Sequence, residues 1–128
     1  MRALFLVLAL AGCAAAGRIG DDETSESRAL ARQLAERTAG EPQQCAPRFE
    51  GQGLHAVDRR TIVYDAPGQL WVNRLEADCP SLTPDTVLVV ETFGDGYCRN
   101  DRFRTLERGS SIPGPYCRLG NFTPYRRR

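Results

Sequence analysis

Thr61-Ile62-Val63-Tyr64-Asp65-Ala66-Pro67-Gly68-Gln69-Leu70-Trp71-Val72-Asn73-Arg74-Leu75 is the stretch that decides the fold. Thr61 to Tyr64 combines β-branched and aromatic residues, which fit a pleated, half-buried surface. Ala66-Pro67-Gly68-Gln69 sets Pro and Gly at the two central positions of a type II turn, where Pro fixes φ and Gly supplies the positive φ that follows. Leu70 to Leu75 resumes the strand, so residues 61–75 read as a hairpin. Upstream, Leu54 to Val57 is a short strand. Downstream, Thr86 to Phe93 is the strongest strand of the chain. Gly94-Asp95-Gly96 then reads as a hairpin loop with Gly96 at positive φ. Tyr97-Cys98 opens the return strand, Asn100-Asp101 interrupts it and Phe103 to Leu106 continues it. Gly109 to Pro115 is a loop, and Cys117 to Phe122 a last strand. Five to seven short strands with regular turns make the chain mainly β, a small antiparallel barrel or sandwich.

The chain has 128 residues, which permits one domain and not two. Seventeen basic residues against sixteen acidic ones leave a near-balanced charge, which argues against an obligate nucleic-acid binder. The balance hides an asymmetry. Residues 13–44 carry four Arg against six acids, residues 45–96 four Arg against eight, and residues 97–128 eight Arg against two. No basic residue is Lys. The Arg excess at the C-terminal end is a solvated face that pairs with the acidic half, or a contact for anionic lipid, lipopolysaccharide or another acidic polymer. Arg126-Arg127-Arg128 is expected to fray.

The N-terminus places Arg2 before an apolar run, Ala3 to Leu10, and then small residues, the layout of a secretory signal. Leu10-Ala11-Gly12-Cys13 resembles the lipobox of bacterial lipoproteins, which implies cleavage before Cys13 and lipid attachment to its thiol. Ala14 in place of Asp after that cysteine favours the outer membrane, on its periplasmic side. Ala14-Ala15-Ala16 offers a second, ordinary cleavage site before Gly17, which would leave the protein soluble. The organisation that follows is a signal at 1–12, a tether and short helix at 13–44, a disulfide-stapled β-domain at 45–125 and a basic tail at 126–128. The helix is expected over Thr24–Arg37, peripheral because its apolar stripe is little more than Leu30 and Leu34, with Gly40 and Pro42 ending it.

Cys45, Cys79, Cys98 and Cys117 are four cysteines in a small chain with a secretory layout, so they read as a disulfide framework. Three connectivities are open. The favoured one joins Cys79 to Cys98 and Cys45 to Cys117, nesting the short loop inside the long one. A metal site finds little support, because there is no Cys-x-x-Cys and His55 is the single histidine. No cofactor is called for.

Cys45, Arg60-Thr61-Ile62-Val63-Tyr64, Cys79-Pro80-Ser81-Leu82, Tyr97-Cys98-Arg99-Asn100-Asp101 and Cys117-Arg118-Leu119-Gly120-Asn121-Phe122-Thr123-Pro124 together carry a resemblance over residues 45–125. The chain resembles a family of small, uncharacterised proteobacterial exported proteins, many of them lipoproteins. The resemblance implies an envelope location and four paired cysteines, and it implies no catalytic residue. Members of that family commonly have Gly where this chain has Asn100, and both residues tolerate positive φ.

Function is read from single residues. Asp101 either caps nearby backbone N–H groups or is a functional acid. Trp71 is either core or, exposed beside Tyr97 and Phe103, a platform for sugars or a partner. Arg99, Arg102 and Arg118 are the cations placed with Asp101, Trp71 and Tyr97 in a candidate binding set. Two function classes follow: a non-enzymatic binding or structural module of the cell envelope, held by its lipid anchor and meeting an envelope protein or anionic polymer, or an envelope hydrolase acting on peptidoglycan or glycans.

Overall fold

The computed structural model describes residues 24–128. The signal, Cys13 and most of the tether lie outside the described residues. The element order is α1 (Ser25–Ala35), β1 (Arg37–Ala39), β2 (Cys45–Pro47), β3 (Leu54–Asp58), β4 (Thr61–Ala66), β5 (Gln69–Arg74), β6 (Thr86–Val90), β7 (Gly96–Cys98), β8 (Arg102–Glu107), β9 (Cys117–Arg118) and β10 (Phe122–Arg127). The protein is mainly β, with three antiparallel sheets and one short helix, and no barrel closes.

The hairpin of residues 61–75 forms as read. β4 and β5 pair from Thr61–Arg74 to Ala66–Gln69, and Gly68 takes φ 76° between them. This hairpin lies at the centre of a five-stranded sheet ordered β1-β10-β5-β4-β3. Alternation along the strands divides the apolar residues between two faces. Ile62, Tyr64, Trp71 and Phe122 point into the larger core with Leu82, Phe103 and Leu119. Val63, Leu70, Val72 and Tyr125 take the opposite face, where Leu30 and Leu34 of α1 cover them. Burial on both faces is why β5 reads as a nearly continuous apolar run.

α1 begins where a Thr can cap it. The Thr24 Oγ1 accepts from the Ser27 N–H at 3.0 Å and donates to the Val57 carbonyl at 2.8 Å. One side chain thus caps the helix and ties it to β3. The helix ends at Ala35, before the expected Arg37, because Arg37 to Ala39 pairs with β10. The sheet therefore takes up residues on both sides of the 45–125 interval. Arg126 and Arg127 belong to β10 and pair with Thr38 and Arg37, so the basic tail is strand and not frayed chain up to Arg127.

The second half departs from the expected hairpin. β6 ends at Val90 and does not pair with Tyr97-Cys98. It pairs with β8, from Thr86–Glu107 to Val90–Phe103, in a three-stranded sheet ordered β6-β8-β9. Tyr97-Cys98 instead belongs to β7, which pairs with β2. Gly96 is not at positive φ. Glycine is required there because a Cβ would run into the Ala46 carbonyl oxygen across the β2–β7 ladder. The expected last strand is divided too: β9 ends at Arg118, and β10 starts at Phe122 in the other sheet.

This pairing corrects the disulfide connectivity. Cys45 and Cys98 are direct cross-strand partners with Cα atoms 4.0 Å apart, and they are bonded. Cys79 joins Cys117, at Cα–Cα 6.0 Å. The bridges interleave where nested ones were expected, because β7 lies on β2 and so carries Cys98 away from Cys79. They close 53 and 38 residues of chain, and loop-closure reasoning assigns each about 4 kcal/mol.

The turn from β9 to β10 is held by Asn73. This side chain is fully buried; its Nδ2 donates to the Gly120 carbonyl and its Oδ1 accepts from the Gly120 N–H, both at 2.8 Å. Asn73→Ala leaves two buried backbone groups unpaired and is expected to destabilise the protein by about 2–4 kcal/mol in denaturant unfolding; a loss below about 0.5 kcal/mol contradicts that role. Non-reducing peptide mapping is expected to recover Cys45 linked to Cys98 and Cys79 linked to Cys117, and recovery of the nested pairs contradicts the β2–β7 pairing.

Candidate functional site

Two sheet edges face one another. β3 is the outer strand of the five-stranded sheet and β6 the outer strand of the three-stranded sheet. They approach closely, yet no backbone hydrogen bond joins them. Between them lies a groove of about 390 Å³, within the ~300–1,000 Å³ span of sites that take a ligand. Its apolar lining includes Leu54, Ala56, Leu88 and Val90. Its polar lining includes Arg48, His55, Thr92, Tyr97 and Arg108, and no carboxylate.

Each polar group reaches the groove for a local reason. His55 is the outward residue of β3 between buried Leu54 and Ala56. Arg48 follows β2 and donates to the Thr92 hydroxyl at 2.9 Å. Arg108 follows β8 and is exposed. No ion pair among the described residues joins Arg48 or Arg108 to an acid. Tyr97 is half-buried, its ring edge-on to Tyr64 at 5.4 Å between centroids. Burial pushes its phenol above the ordinary value, and the Arg48 charge opposes that rise.

A second polar arrangement lies on the outer face of the three-stranded sheet. The Tyr116 ring has the guanidinium groups of Arg102 and Arg104 at 4.7 and 4.6 Å from its centroid. Arg102 also donates to Glu91 Oε2 at 2.7 Å, and the Tyr116 hydroxyl donates to Glu91 Oε1 at 3.2 Å. The bond from Arg102 holds the Glu91 carboxyl below its ordinary value. These four side chains satisfy one another. Val87 and Val89 stand on the same outward parity of β6, 49% and 46% exposed.

The sequence-derived set does not assemble. Trp71 is core, 4% exposed and edge-on to Phe122, so it is no platform for a ligand. Asp101 is buried, and its Oδ2 accepts from the Cys98 N–H at 2.8 Å, the backbone-capping role. Asn100 beside it takes φ 69°, the conformation for which Gly and Asn are interchangeable. Arg99 pairs with Glu76, Arg102 with Glu91, and Arg118 donates to the Asn100 carbonyl. Only Tyr97 of the six lines the groove. Arg48, His55, Thr92 and Arg108 were missed as a group, since they come from four separate segments and carry no motif spacing.

Glu76 and Asp78 share one shallow hollow, but Glu76 is engaged by Arg99 and Asp78 by Arg60. No cluster of three or more metal-ligating side chains occurs among the described residues, and no described helix is long and apolar enough to cross a membrane.

A short helix on three antiparallel β-sheets stapled by two disulfides, with an open cationic groove between two strand edges, defines the class: a small stapled β-domain. The chain belongs to DUF6491, described as a family of unknown function, whose model matches residues 1–127. No curated protein and no solved structure matches it.

The Glu91 shift gives a pH prediction. A carboxyl held below its unfolded value stabilises the fold at neutral pH, and that contribution is lost as pH falls through its folded value. Glu91→Gln is therefore expected to lower Tm at neutral pH, with the difference from wild type shrinking to nothing at acid pH. A difference that grows toward acid contradicts the Arg102 pairing.

Proposed function

We propose that the protein is a lipid-anchored component of the bacterial cell envelope, held by Cys13 on the periplasmic side of the outer membrane, and that it acts there as a binding module. The observation that carries the binding reading is the chemistry of the groove. Glycan hydrolysis by acid–base chemistry needs two carboxylates placed across the scissile bond, and this groove has none among its lining residues. The groove offers cations without carboxylate partners, hydroxyls, the imidazole of His55 and an apolar floor, and no acid among the lining residues lies beside His55 to orient it for acid–base work. The acids beside the other hollow are held in ion pairs. The anchoring reading rests on the lipobox-like Leu10-Ala11-Gly12-Cys13 and on four paired cysteines, which persist in an oxidising compartment.

Cys13→Ser is expected to move the protein from the membrane pellet to the soluble periplasmic fraction, and continued pelleting contradicts the anchor. Incubated with purified peptidoglycan sacculi, the protein is expected to release no new reducing ends or amino groups. Release that disappears in Glu76→Gln contradicts the non-enzymatic reading.

A further inference from the structure

We propose that the outer face of the β6-β8-β9 sheet lies on the anionic phospholipid surface of the membrane that holds the anchor, its arginines at the phosphate level and its exposed apolar side chains against the acyl boundary; this rests on the anchored reading above.

Strand register gathers this face. Val87 pairs with Leu106 and Val89 with Arg104 across β6 and β8, and Arg102 pairs with Arg118 across β8 and β9. Directly paired residues point to the same side of a sheet. Phe103 and Thr105, the alternate residues of β8, are buried on the inner side, so the paired set faces outward. Tyr116 joins it, since the Arg102 and Arg104 guanidinium groups both lie over its ring. Six large apolar side chains are exposed among the described residues, and five of them belong to this sheet and its connections: Val87, Val89, Phe93, Ile112 and Tyr116. Phe49 is the sixth. Such a concentration of exposed apolar surface marks a place of contact.

Charge selects the occupant. Arg102, Arg104 and Arg118 share one outward carboxylate, Glu91, and Arg102 holds it. Arg104 donates to the Gly114 carbonyl and Arg118 to the Asn100 carbonyl, each at 3.0 Å. A neutral carbonyl satisfies the donor and leaves the charge uncompensated. Glu107 has the inward parity of Phe103 and Thr105. A second copy docked here about a two-fold axis sets these arginines against their own copies. A layer of phosphate headgroups compensates them instead.

The form of the face and the tether favour lipid over an acidic protein. A protein partner is gripped by anchors that fill fitted pockets. A bilayer boundary accepts any apolar tip, such as Ile112, 80% exposed in the loop before β9. It also suits tyrosine and arginine, whose polar ends stay at the wet headgroup level. Thr24 lies eleven residues after Cys13, a reach of at most about 40 Å of extended chain. An anchored domain therefore stays beside the lipid, and a weak contact suffices to orient it. That contact is reversible and salt-sensitive and does not hold the domain alone, so the fractionation expected of Cys13→Ser is unchanged.

The test is hydroxyl-radical footprinting of the full-length protein assembled with nanodiscs of phosphatidylglycerol and, separately, of phosphatidylcholine. The proposal expects labelling of Val87, Val89, Ile112 and Tyr116 to be at least about threefold lower on the anionic discs than on the neutral ones, with Phe49 unchanged. Raising salt to about 0.5 M restores the labelling. Arg104→Ala/Arg118→Ala restores it too, whereas Arg48→Ala/Arg108→Ala, on the groove, stays protected. Unchanged Tm verifies both double variants, and the salt arm reads the native chain. Equal protection on neutral discs, or equal release by the groove variant, overturns the assigned face. Protection that rises with protein concentration without discs overturns the lipid in favour of a second copy. No protection on discs that retain the protein overturns the lipid and leaves the face to an acidic protein. Release of the protein itself from the discs by salt contradicts the anchor, so the two readings fail separately.

Discussion

Two hydrogen bonds between the Asn73 carboxamide and the Gly120 backbone hold the place where the chain passes from one sheet to the other. Strand β9 ends at Arg118 in the three-stranded sheet, and β10 starts at Phe122 between β5 and β1. The intervening turn sits against β5 so closely that a Cβ on Gly120 would run into the Arg74 carbonyl oxygen. Asn73 is the residue type that can meet both a buried N–H and a buried C=O with one planar group. Around this point the Cys79–Cys117 bridge, Leu119 and Phe122 close the larger core. With the turn pinned there, the three-stranded sheet packs over the hairpin of residues 61–75 without joining it edge to edge. The groove is the gap that this arrangement leaves between β3 and β6.

The local features were legible in the sequence, and the long-range pairings were not. Pro67-Gly68 announces its turn because the turn's own backbone angles demand those residues. Asn100 tolerates positive φ for the same reason, and the expected start of the helix, Thr24, is its N-cap. Gly96 misleads, because its need for Gly comes from the Ala46 carbonyl fifty residues away in the chain and not from a local turn. That misreading joined β6 to β7, while the nested cysteine pairing rested on loop lengths alone. Cys45 and Cys98 meet only because β2 and β7 pair across 53 residues, which no periodicity reports.

The candidate site shows the same division. Asp101 reads correctly as a backbone cap because its partner, the Cys98 N–H, is three residues away. Arg48, His55 and Arg108 carry no local signal, since each is an ordinary exposed residue of its own segment. Their importance comes from shared position and from what they lack. Arg60, Arg99 and Arg102 are taken up by Asp78, Glu76 and Glu91, whereas Arg48 and Arg108 line the groove without a carboxylate partner among the described residues. Trp71 failed as a platform because β5 is covered on both faces, by the larger core on one and by α1 on the other.

Residue-resolved hydrogen exchange of the free protein tests the central claim most directly, that a pinned turn holds two sheets together with an unpaired seam between them. The account predicts that the Gly120 amide exchanges only through global unfolding, among the slowest in the chain, while seam-facing amides of β3 and β6 exchange rapidly. A Gly120 amide that exchanges as fast as the loop of residues 109–115, or seam amides as protected as the β4–β5 ladder, would contradict it.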